Sequence, residues 1–230
     1  PALNEEQKAN TIQVATFSTL TRTSNVTDII EFSESESPDL LCLQEVAQSD
    51  RASLVEQLSD DYPYHIQNNN NQITFSRLPL TLIDDAGFYL ASEIKHPTLG
   101  ELMVINAHMP RPYLSEGVSA NWKSFLSFID NDSSMIVCGD LNITPNNSLY
   151  EVLKYQYQLQ DALMSGFGFT YPSDQRRSAI LGPLIRIDYI MSRHLSSIKT
   201  RTINASSLSD HKAVISELIT NKNNVKGRYE

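Results

Sequence analysis

The first part of the chain alternates apolar runs of strand character with segments of helical periodicity. TIQVATFST (11–19) carries β-branched residues at close intervals and predicts a strand, and PDLLCLQEV (38–46) is a continuous apolar run typical of a buried strand. Between them, residues 23–35 repeat apolar side chains at helical spacing and predict an amphipathic helix. A second helix is predicted after Ser49, which is a candidate capping residue.

Strand periodicity dominates the middle of the chain. Turn-forming residues separate the stretches YPYHIQ (62–67), QITFSR (72–77), LTLIDDAGFYLASEI (80–94) and GELMVINAHM (100–109). Later segments predict a helix at 115–130, a buried strand at 134–142, a helix start at 144–155, a long loop at 165–186 and strands at 184–192, 197–203 and 212–219. Together they predict an α/β or α+β domain with two mixed sheets packed face to face and helices outside. We expect residues 11–221 to form this single domain, after a disordered lead at 1–10 and before a tail at 222–230.

The composition is that of a globular protein. Of 230 residues, 40% are hydrophobic and only 8 are glycine, which excludes collagen-like and low-complexity chains. No apolar stretch approaches the roughly 20 residues that cross a bilayer, and the polar start PALNEEQKAN lacks the apolar stretch of a signal peptide. Because the chain begins with Pro, we expect that it lost an initiator Met or was cut from a longer chain. Localisation is therefore left open, with an upstream signal or anchor as one alternative.

Charge is divided unevenly along the sequence. Residues 1–170 contain 8 Lys and Arg against 22 Asp and Glu, a balance of −14, whereas residues 171–230 contain 10 against 5, a balance of +5. Either the basic quarter forms a face that handles polyanions, or its charges scatter over a solvated surface.

The two cysteines lie in strand-like apolar runs, LLCLQ for Cys42 and MIVCGD for Cys138. Two cysteines make neither a disulfide scaffold nor a four-ligand zinc site. We therefore interpret both as small, buried hydrophobic residues.

Polar or ionisable residues recur where the predicted apolar strands end or begin. A carboxylate at such a position is partly desolvated, and it is costly unless it binds a metal, a proton or a hydrogen-bond donor. One such residue has a simple explanation as a turn cap, but a series of them predicts a shared site where strand ends converge. The residues are Glu45, His108, Asp140, Asn142, Asp188, Asp210 and His211.

The residue types in this series suit attack of water on phosphorus. Glu45 and Asp210 offer hard oxygen ligands, which favour Mg²⁺ or Mn²⁺ over zinc. His108 and His211 are candidate bases, or cationic groups that face developing charge. Asp188 is a candidate to orient a histidine, as the acid of a catalytic triad does.

Asp140 and Asn142 point the same way if the chain is extended between them, so one of them can activate a water while the other holds it.

The motifs of two other mechanisms that act on esters or bind phosphates are absent from the sequence. The sequence has no G-x-S-x-G nucleophile elbow and no G-x-x-x-x-G-K-[ST] phosphate loop.

The order of these motifs resembles the endonuclease/exonuclease/phosphatase superfamily, which has the deoxyribonuclease I-like fold. The matching motifs are LLCLQEV, VINAHMP, VCGDLNITP, RIDYIM and SDHKAV, and the resemblance extends over residues 12–219. It implies a four-layer α/β/β/α sandwich and divalent-metal-dependent hydrolysis of a phosphoester. The segment that runs from TYPSDQ to SDHKAV is also similar to compact bacterial members of the superfamily.

The resemblance implies a metal site as well. Glu45 matches the metal-binding glutamate of the LQE motif, and Asp210 matches the aspartate near the metal. The family usually has Asn in its first strand, where the amide holds the metal-site glutamate or phosphate, and Ser18 stands at that position here. A serine hydroxyl is shorter than an amide and lacks its planar donor–acceptor pair. One alternative is therefore that this chain is a member of the superfamily that binds its ligand but is slow or inactive as an enzyme.

The remaining matches concern the reaction itself. Asp140 and Asn142 match the GDxN pair that positions the attacking water or stabilises the transition state. Asp188 matches the aspartate that pairs with the terminal histidine, and His211 matches that histidine, which faces the scissile phosphate. His108 matches a histidine that several branches use near the leaving group or phosphate.

We therefore expect a divalent-metal-dependent phosphodiester hydrolase, a nuclease that acts on DNA or RNA. The alternative substrate is a phospholipid or small phosphoester, and no obligate protein partner is expected. In the nuclease hypothesis the cations of the basic quarter follow a phosphate backbone, and Arg186 is a candidate phosphate contact. These cations are Arg176, Arg177, Arg186, Arg193, Lys199 and Arg201.

Overall fold

Two six-stranded sheets organise the protein. The computed structural model describes residues 10–22, 25–112, 116–163, 165–173 and 182–220, so the expected lead and tail lie almost entirely outside the described residues. The strands are β1 (Thr11–Ser18), β2 (Leu40–Gln44), β3 (Tyr64–Gln67), β4 (Ile73–Ser76), β5 (Leu80–Asp85), β6 (Tyr89–His96), β7 (Gly100–His108), β8 (Met135–Asp140), β9 (Gln160–Asp161), β10 (Asp188–Arg193), β11 (Leu195–Ile203) and β12 (Ala213–Thr220). The first sheet has the order β11-β12-β1-β2-β4-β3, and the second has the order β5-β6-β7-β8-β10-β9.

Four helices in the described chain coincide with the predicted ones. They are α1 (Val26–Glu36), α2 (Arg51–Leu58), α3 (Glu116–Phe128) and α4 (Ser148–Tyr155). Helix α4 begins where it does because the side chain of Asn147 accepts a hydrogen bond from the Leu149 N–H. The expectation that Ser49 caps α2 is wrong, since Asp50 occupies the capping position and the Ser49 hydroxyl donates to its carboxylate.

The helices lie on the outer faces of the two sheets. Helices α1 and α2 cover the first sheet, and α3 and α4 cover the second, each through its own apolar cluster. The clusters include Phe17, Phe32 and Leu54 at the first sheet, and Ile105, Trp122 and Leu153 at the second. A third apolar cluster lies between the sheets. The α/β/β/α sandwich expected from the resemblance is therefore confirmed.

The layer between the sheets also holds the two cysteines. Val14 of the first sheet and Val104 of the second belong to the apolar cluster there. Cys42 on β2 and Cys138 on β8 are completely buried in the same cluster, and they form a disulfide bond between the sheets. The interpretation as two unlinked hydrophobic residues is thus wrong. Strand periodicity placed both side chains in the core, but it carries no information on which residues of another sheet they face.

Strand direction gathers the functional segments at one edge of the sandwich. β1 runs parallel to β2, and β7 runs parallel to β8, so the carboxyl ends of each pair lie together. β12 is antiparallel to β1, and β10 is antiparallel to β8, so both of these strands begin at that same edge. The expected convergence of strand ends therefore follows from the sheet topology.

The later part of the chain holds less regular structure. The short strand β9, which was not predicted, pairs with β10, and an isolated bridge joins Tyr171 to Ile185 inside the predicted long loop. Residues 174–181 of that loop lie outside the described chain. None of the helices within the described ranges combines the length and apolar character needed to cross a bilayer.

Candidate active site

The site lies at the edge where the parallel strands end. His108 at the end of β7 and Asp140 at the end of β8 are partners in the parallel register. Asp188, the first residue of β10, stands directly opposite Asp140 in the antiparallel register. Glu45 follows β2 in the other sheet, and its Oε1 lies 3.5 Å from His108 Nε2. Residues from both sheets therefore share one site.

The backbone of Glu45 is held in an uncommon conformation. Its φ of +55° lies in the left-handed region, which is rare for residues other than glycine. The Thr19 hydroxyl donates to the Glu45 carbonyl at 3.0 Å, and the next N–H, that of Val46, donates to the Asn71 carbonyl at 2.9 Å. The Thr21 N–H and hydroxyl approach the Glu45 carboxylate at 3.4 Å. These contacts direct the carboxylate towards His108.

Two histidines in the site have opposite protonation preferences. Burial lowers the pKa of His108 below its ordinary value of 6.5, with Glu45 opposing the shift and His211 adding to it. Burial also acts to lower the pKa of His211, but the carboxylates of Asp188 and Asp140 outweigh it and raise that pKa to about 10. At neutral pH His108 is therefore neutral and His211 is cationic.

Asp188 fixes the orientation of the His211 ring. The Nδ1 atom of His211 lies 2.9 Å from one Asp188 oxygen and 3.1 Å from the other, and both side chains are buried. The Tyr171 ring packs against the imidazole with 5.0 Å between ring centroids. On the other side of the imidazole, Nε2 lies 3.9 Å from Asp210 Oδ1. This arrangement leaves Nε2 as the atom that faces the site.

Asp140 is a buried carboxylate with another carboxylate opposite it. Burial, followed by the negative charge of Asp188, raises the pKa of Asp140 to about 8. Its Oδ2 lies 4.0 Å from His108 Nε2. Asn142, at a φ of +52°, donates its backbone N–H to Asp140 Oδ1 at 2.8 Å and its amide to Oδ2 at 3.1 Å. Because β8 ends at Asp140 and Asn142 is left-handed, the extended chain assumed between the two residues is not found, and the pair is instead held together by these two hydrogen bonds.

The donor set fits a hard divalent cation. Among the described residues, ligand atoms of Asp140, Asp188 and His211 all lie within 4.8 Å of one another. The carboxylate of Glu45 is near the same edge, 28% exposed and open to a ligand. Several carboxylates in a partly buried site repel one another, and a bound cation relieves that repulsion.

Ser18 lies at the end of β1, beside Gln44 in the parallel register. Its side chain is completely buried, and its hydroxyl has no hydrogen-bond partner among the residues that the structure describes. Its backbone carbonyl accepts a hydrogen bond from the Ser209 hydroxyl, which ties β1 to the segment that carries Asp210 and His211. The contact between Ser18 and the segment of Asp210 and His211 is therefore made by the backbone carbonyl of Ser18.

Arg186 is occupied by structural contacts. Its guanidinium donates to Asp161 at 2.5 Å and packs over the Tyr189 ring at 4.8 Å. Since it is 8% exposed and paired, we do not retain Arg186 as a phosphate contact.

The other cations of the basic quarter do not form a continuous track within the described chain. Buried Arg193 donates to the carbonyls of Ile129 and Ser133 near the end of α3. Arg201 pairs with Glu36 on α1. Lys199 is exposed on β11, and Arg176 and Arg177 lie outside the described residues. Of the two alternatives for this charge, the described residues favour scattered cations.

A buried amide network behind the site was missed from the sequence. Gln44, which precedes Glu45, donates to Asn106 Oδ1 across the two sheets at 2.7 Å. Asn106, two residues before His108, donates in turn to the Leu43 and Ile73 carbonyls. The available signal was the presence of two uncharged amides inside otherwise apolar strands, next to site residues.

Sequence and structure comparisons agree on the ancestry of this arrangement. The sequence profile of the Endonuclease/Exonuclease/phosphatase family matches residues 11–211. The chain belongs to the endonuclease/exonuclease/phosphatase family. No curated protein matches the chain significantly.

Several solved structures share the fold at low sequence identity. The endonuclease/exonuclease/phosphatase from Beutenbergia cavernae is 18% identical with a TM-score of 0.69, over 92% of this chain and 72% of that one. D. rerio TDP2 complexed with single strand DNA product is 13% identical with a TM-score of 0.66, over 91% and 99%. Sphingomyelinase C from Streptomyces griseocarneus is 14% identical with a TM-score of 0.62, over 90% and 99%. Proteins with different substrates thus share this sandwich.

Proposed function

We propose that this protein hydrolyses phosphodiesters by metal-assisted attack of water on phosphorus, with a nucleic acid as substrate. The observation that carries the proposal is the unbroken series of close approaches across the site. Glu45 is 3.5 Å from His108, His108 is 4.0 Å from Asp140, and His211 is 2.9 Å from Asp188, which lies opposite Asp140. We assign to this set a general base, a cationic group and metal ligands around one reacting centre.

In this proposal Glu45 and Asp210 hold Mg²⁺ or Mn²⁺. The bound ion supplies positive charge to a phosphate oxygen and orients the phosphate. Asp140 accepts a proton from the attacking water, and Asn142 keeps the Asp140 carboxylate in place through its two hydrogen bonds. A carboxylate with a pKa of about 8 is a stronger base than an ordinary aspartate, which suits this task near neutral pH.

The two histidines complete the proposed mechanism. His211 is held by Asp188 and is cationic, so its Nε2–H donates to a phosphate oxygen as negative charge develops. Neutral His108 lies on the other side of Asp140, where it contacts the phosphate or the departing oxygen. In this proposal His211 acts on the phosphate, whereas Glu45 and Asp210 hold the ion. Loss of His211 therefore removes a phosphate contact and leaves both proposed metal ligands in place.

The nucleic acid substrate is supported by the likeness to D. rerio TDP2 in a complex with single strand DNA product. One feature of the chain favours a lipid phosphodiester as the second candidate. Phe167 is 78% exposed and stacks on Phe169 at 5.1 Å, in the same segment as Tyr171, which packs on His211. An exposed aromatic pair this near to the site suits contact with an apolar surface. Sphingomyelinase C is a structural relative with a lipid substrate in its name.

One experiment separates these candidates. The protein is incubated with single-stranded DNA, duplex DNA or sphingomyelin vesicles, with Mg²⁺, Mn²⁺ or EDTA. We expect cleavage of DNA that requires the metal and that His211→Ala reduces at least about 100-fold. The matched control is His65→Ala, an exposed histidine outside the site. Cleavage of sphingomyelin with DNA intact supports the second candidate, and equal rates for wild type and His211→Ala contradict the proposed mechanism.

A further inference from the structure

A cleft of about 460 Å³ opens directly beside the candidate active site. His108 and Asn142 form the part of its wall that belongs to the site, and Glu45, Asp188 and His211 do not line it. The volume is within the ~300–1,000 Å³ typical of small-ligand sites. The cleft is therefore placed to receive a group that is covalently attached to a phosphate bound in the site.

The walls of the cleft combine free amides with flat apolar surfaces. Asn70 and Asn121 line it, and within the described chain neither side-chain amide has a hydrogen-bond partner. Phe88 and Pro110 supply apolar surface, and the Phe88 ring is held edge-to-face on Tyr89 at 5.2 Å. Each free amide offers both a donor and an acceptor.

The residues that line the cleft disfavour three other classes of ligand. No Lys, Arg, Asp or Glu is among the described residues that line the cleft, so a phosphorylated group would lack a cationic partner and a cationic head group would lack an anionic one. An acyl chain would cover the Asn70 and Asn121 amides and leave their polar atoms unpaired. A flat, uncharged heterocycle with hydrogen-bond donors and acceptors at its edge needs no charged partner, and it can pair with both amides.

The cleft is built into the fold by contact between loops of the two sheets. Asn68, in the loop between β3 and β4, donates to Asp85 at 3.1 Å, and Asp85 accepts the Gly87 N–H at 2.9 Å. Gly87 has a φ of +83°, and a Cβ at this position would meet the Asn70 amide at 2.4 Å. The positive φ favours glycine at this position, and the absence of a side chain leaves room for the Asn70 amide beside it.

We propose that this cleft binds the nucleobase of a nucleotide whose phosphate occupies the active site. The base stacks on Phe88 and presents its edge to Asn70 and Asn121. The assignment rests on the proposed phosphodiester hydrolysis and names the feature of the substrate that gives selectivity. Asn121 is a specificity-determining residue in this account, because it lines the cleft without contacting the residues assigned to the reaction.

The first test compares a substrate that carries a nucleoside with one that carries a methyl group in its place, and the variants identify the contribution of the cleft. Nucleoside 5′-(p-nitrophenyl phosphate) carries a base, and methyl p-nitrophenyl phosphate does not. Two Asn121 variants are used, with Ser119→Trp, an exposed position on the same helix α3, as the control for Asn121→Trp. We expect Asn121→Ala to lower kcat/KM for the nucleoside substrate about 5- to 10-fold, the effect of one lost hydrogen bond. Asn121→Trp, which fills the cleft, lowers it further, and neither variant changes hydrolysis of the methyl ester.

Equilibrium binding gives a second measurement that needs no turnover. Wild type binds thymidine 5′-monophosphate more tightly than ribose 5-phosphate, and Asn121→Trp removes the difference while Ser119→Trp keeps it. If the methyl ester is hydrolysed but the base confers no advantage, the cleft assignment is overturned and the proposed function stands. If nucleotide binding depends on Asn121 but no ester is hydrolysed, the proposed function is overturned. If neither ester is hydrolysed and the base confers no advantage in binding, both are overturned.

Discussion

The two ends of the layer between the sheets are filled by different kinds of side chain, apolar at one end and polar at the other. Away from the site, Val14, Val104 and Ile136 pack with the Cys42–Cys138 disulfide in an apolar cluster. At the site end, the same alternating positions of the strands carry Thr16, Gln44, Asn106 and Asp140, all buried. Along β7, for example, the inward-facing residues run from Leu102 through Val104 and Asn106 to His108.

The difference shows what each end contributes. Apolar side chains at one end gain free energy by leaving water, and this gain has no preferred direction. The buried amides at the other end are stable only while each hydrogen bond is made, so they fix the separation of the sheets where Glu45 and His108 meet. One end of the layer stabilises the fold, and the other positions the site.

Replacement of Asp140 should produce the largest effect at the polar end. We expect Asp140→Asn to reduce metal-dependent phosphodiester hydrolysis about 10²- to 10⁴-fold, because the residue loses its proton-accepting role. The metal-free variant should nevertheless unfold at a higher urea concentration than wild type at pH 7. The folded pKa of about 8 lies above the ordinary value of 3.8, so wild-type stability falls as pH rises between these values, and asparagine removes that loss. A variant that is both inactive and less stable at pH 7 contradicts this account.

Removal of the disulfide should affect the apolar end. The bond closes a sequence separation of 96 residues, and the Cys42→Ala/Cys138→Ala variant should lose about 2–5 kcal/mol of unfolding free energy. The folded variant should keep its catalytic activity, because the amide network still holds the site. Urea unfolding of the variant, beside reduced and oxidised wild type, measures the effect. Oxidised wild type that unfolds at the same urea concentration as the variant argues against a stabilising bond.

Replacement of Asn106 breaks the polar network itself. Asn106→Leu removes the hydrogen bond from the Gln44 amide to Asn106 and those from Asn106 to the Leu43 and Ile73 carbonyls. The Gln44 amide keeps its bonds to Thr16 and the Cys42 carbonyl, and about 1–3 kcal/mol is lost for each group that stays buried and unpaired. Because the surrounding structure relaxes, we expect the total loss of unfolding free energy, over all of these groups together, to be near the lower end of this range. In contrast to the disulfide variant, activity per folded molecule should also fall. Activity unchanged in folded Asn106→Leu would show that the network stabilises the fold without positioning Glu45 and His108.

The smallest expected effect concerns Ser18. Its hydroxyl is buried and has no partner in the described part of the chain, so Ser18→Ala should raise the unfolding free energy by about 1 kcal/mol in the absence of metal. Mn²⁺ affinity, measured by calorimetric titration, should stay the same because only the Ser18 carbonyl contacts the segment of Asp210 and His211. A clear loss of Mn²⁺ affinity in Ser18→Ala would instead assign the hydroxyl to the metal site.

Local patterns in the sequence determined the elements and the type of chemistry. The periodicity of β1, β2 and α1 identified them directly, and motif order pointed to the family to which the chain belongs. The polar residues at strand ends were recognisable because a carboxylate after an apolar run needs a reason to be there. The sequence alone therefore identifies Glu45 and Asp188 as candidate site residues.

Only the tertiary structure decided which residues face one another. The disulfide between Cys42 and Cys138, the pairing of Arg186 with Asp161 and the cleft next to His108 all depend on the register and packing of elements far apart in the chain. A side chain's periodic position states whether it points inward, but its partner is set by another strand or loop that local pattern does not contain. The sequence pattern indicates which side chains are buried, whereas the packing of the two sheets determines which of them contact one another.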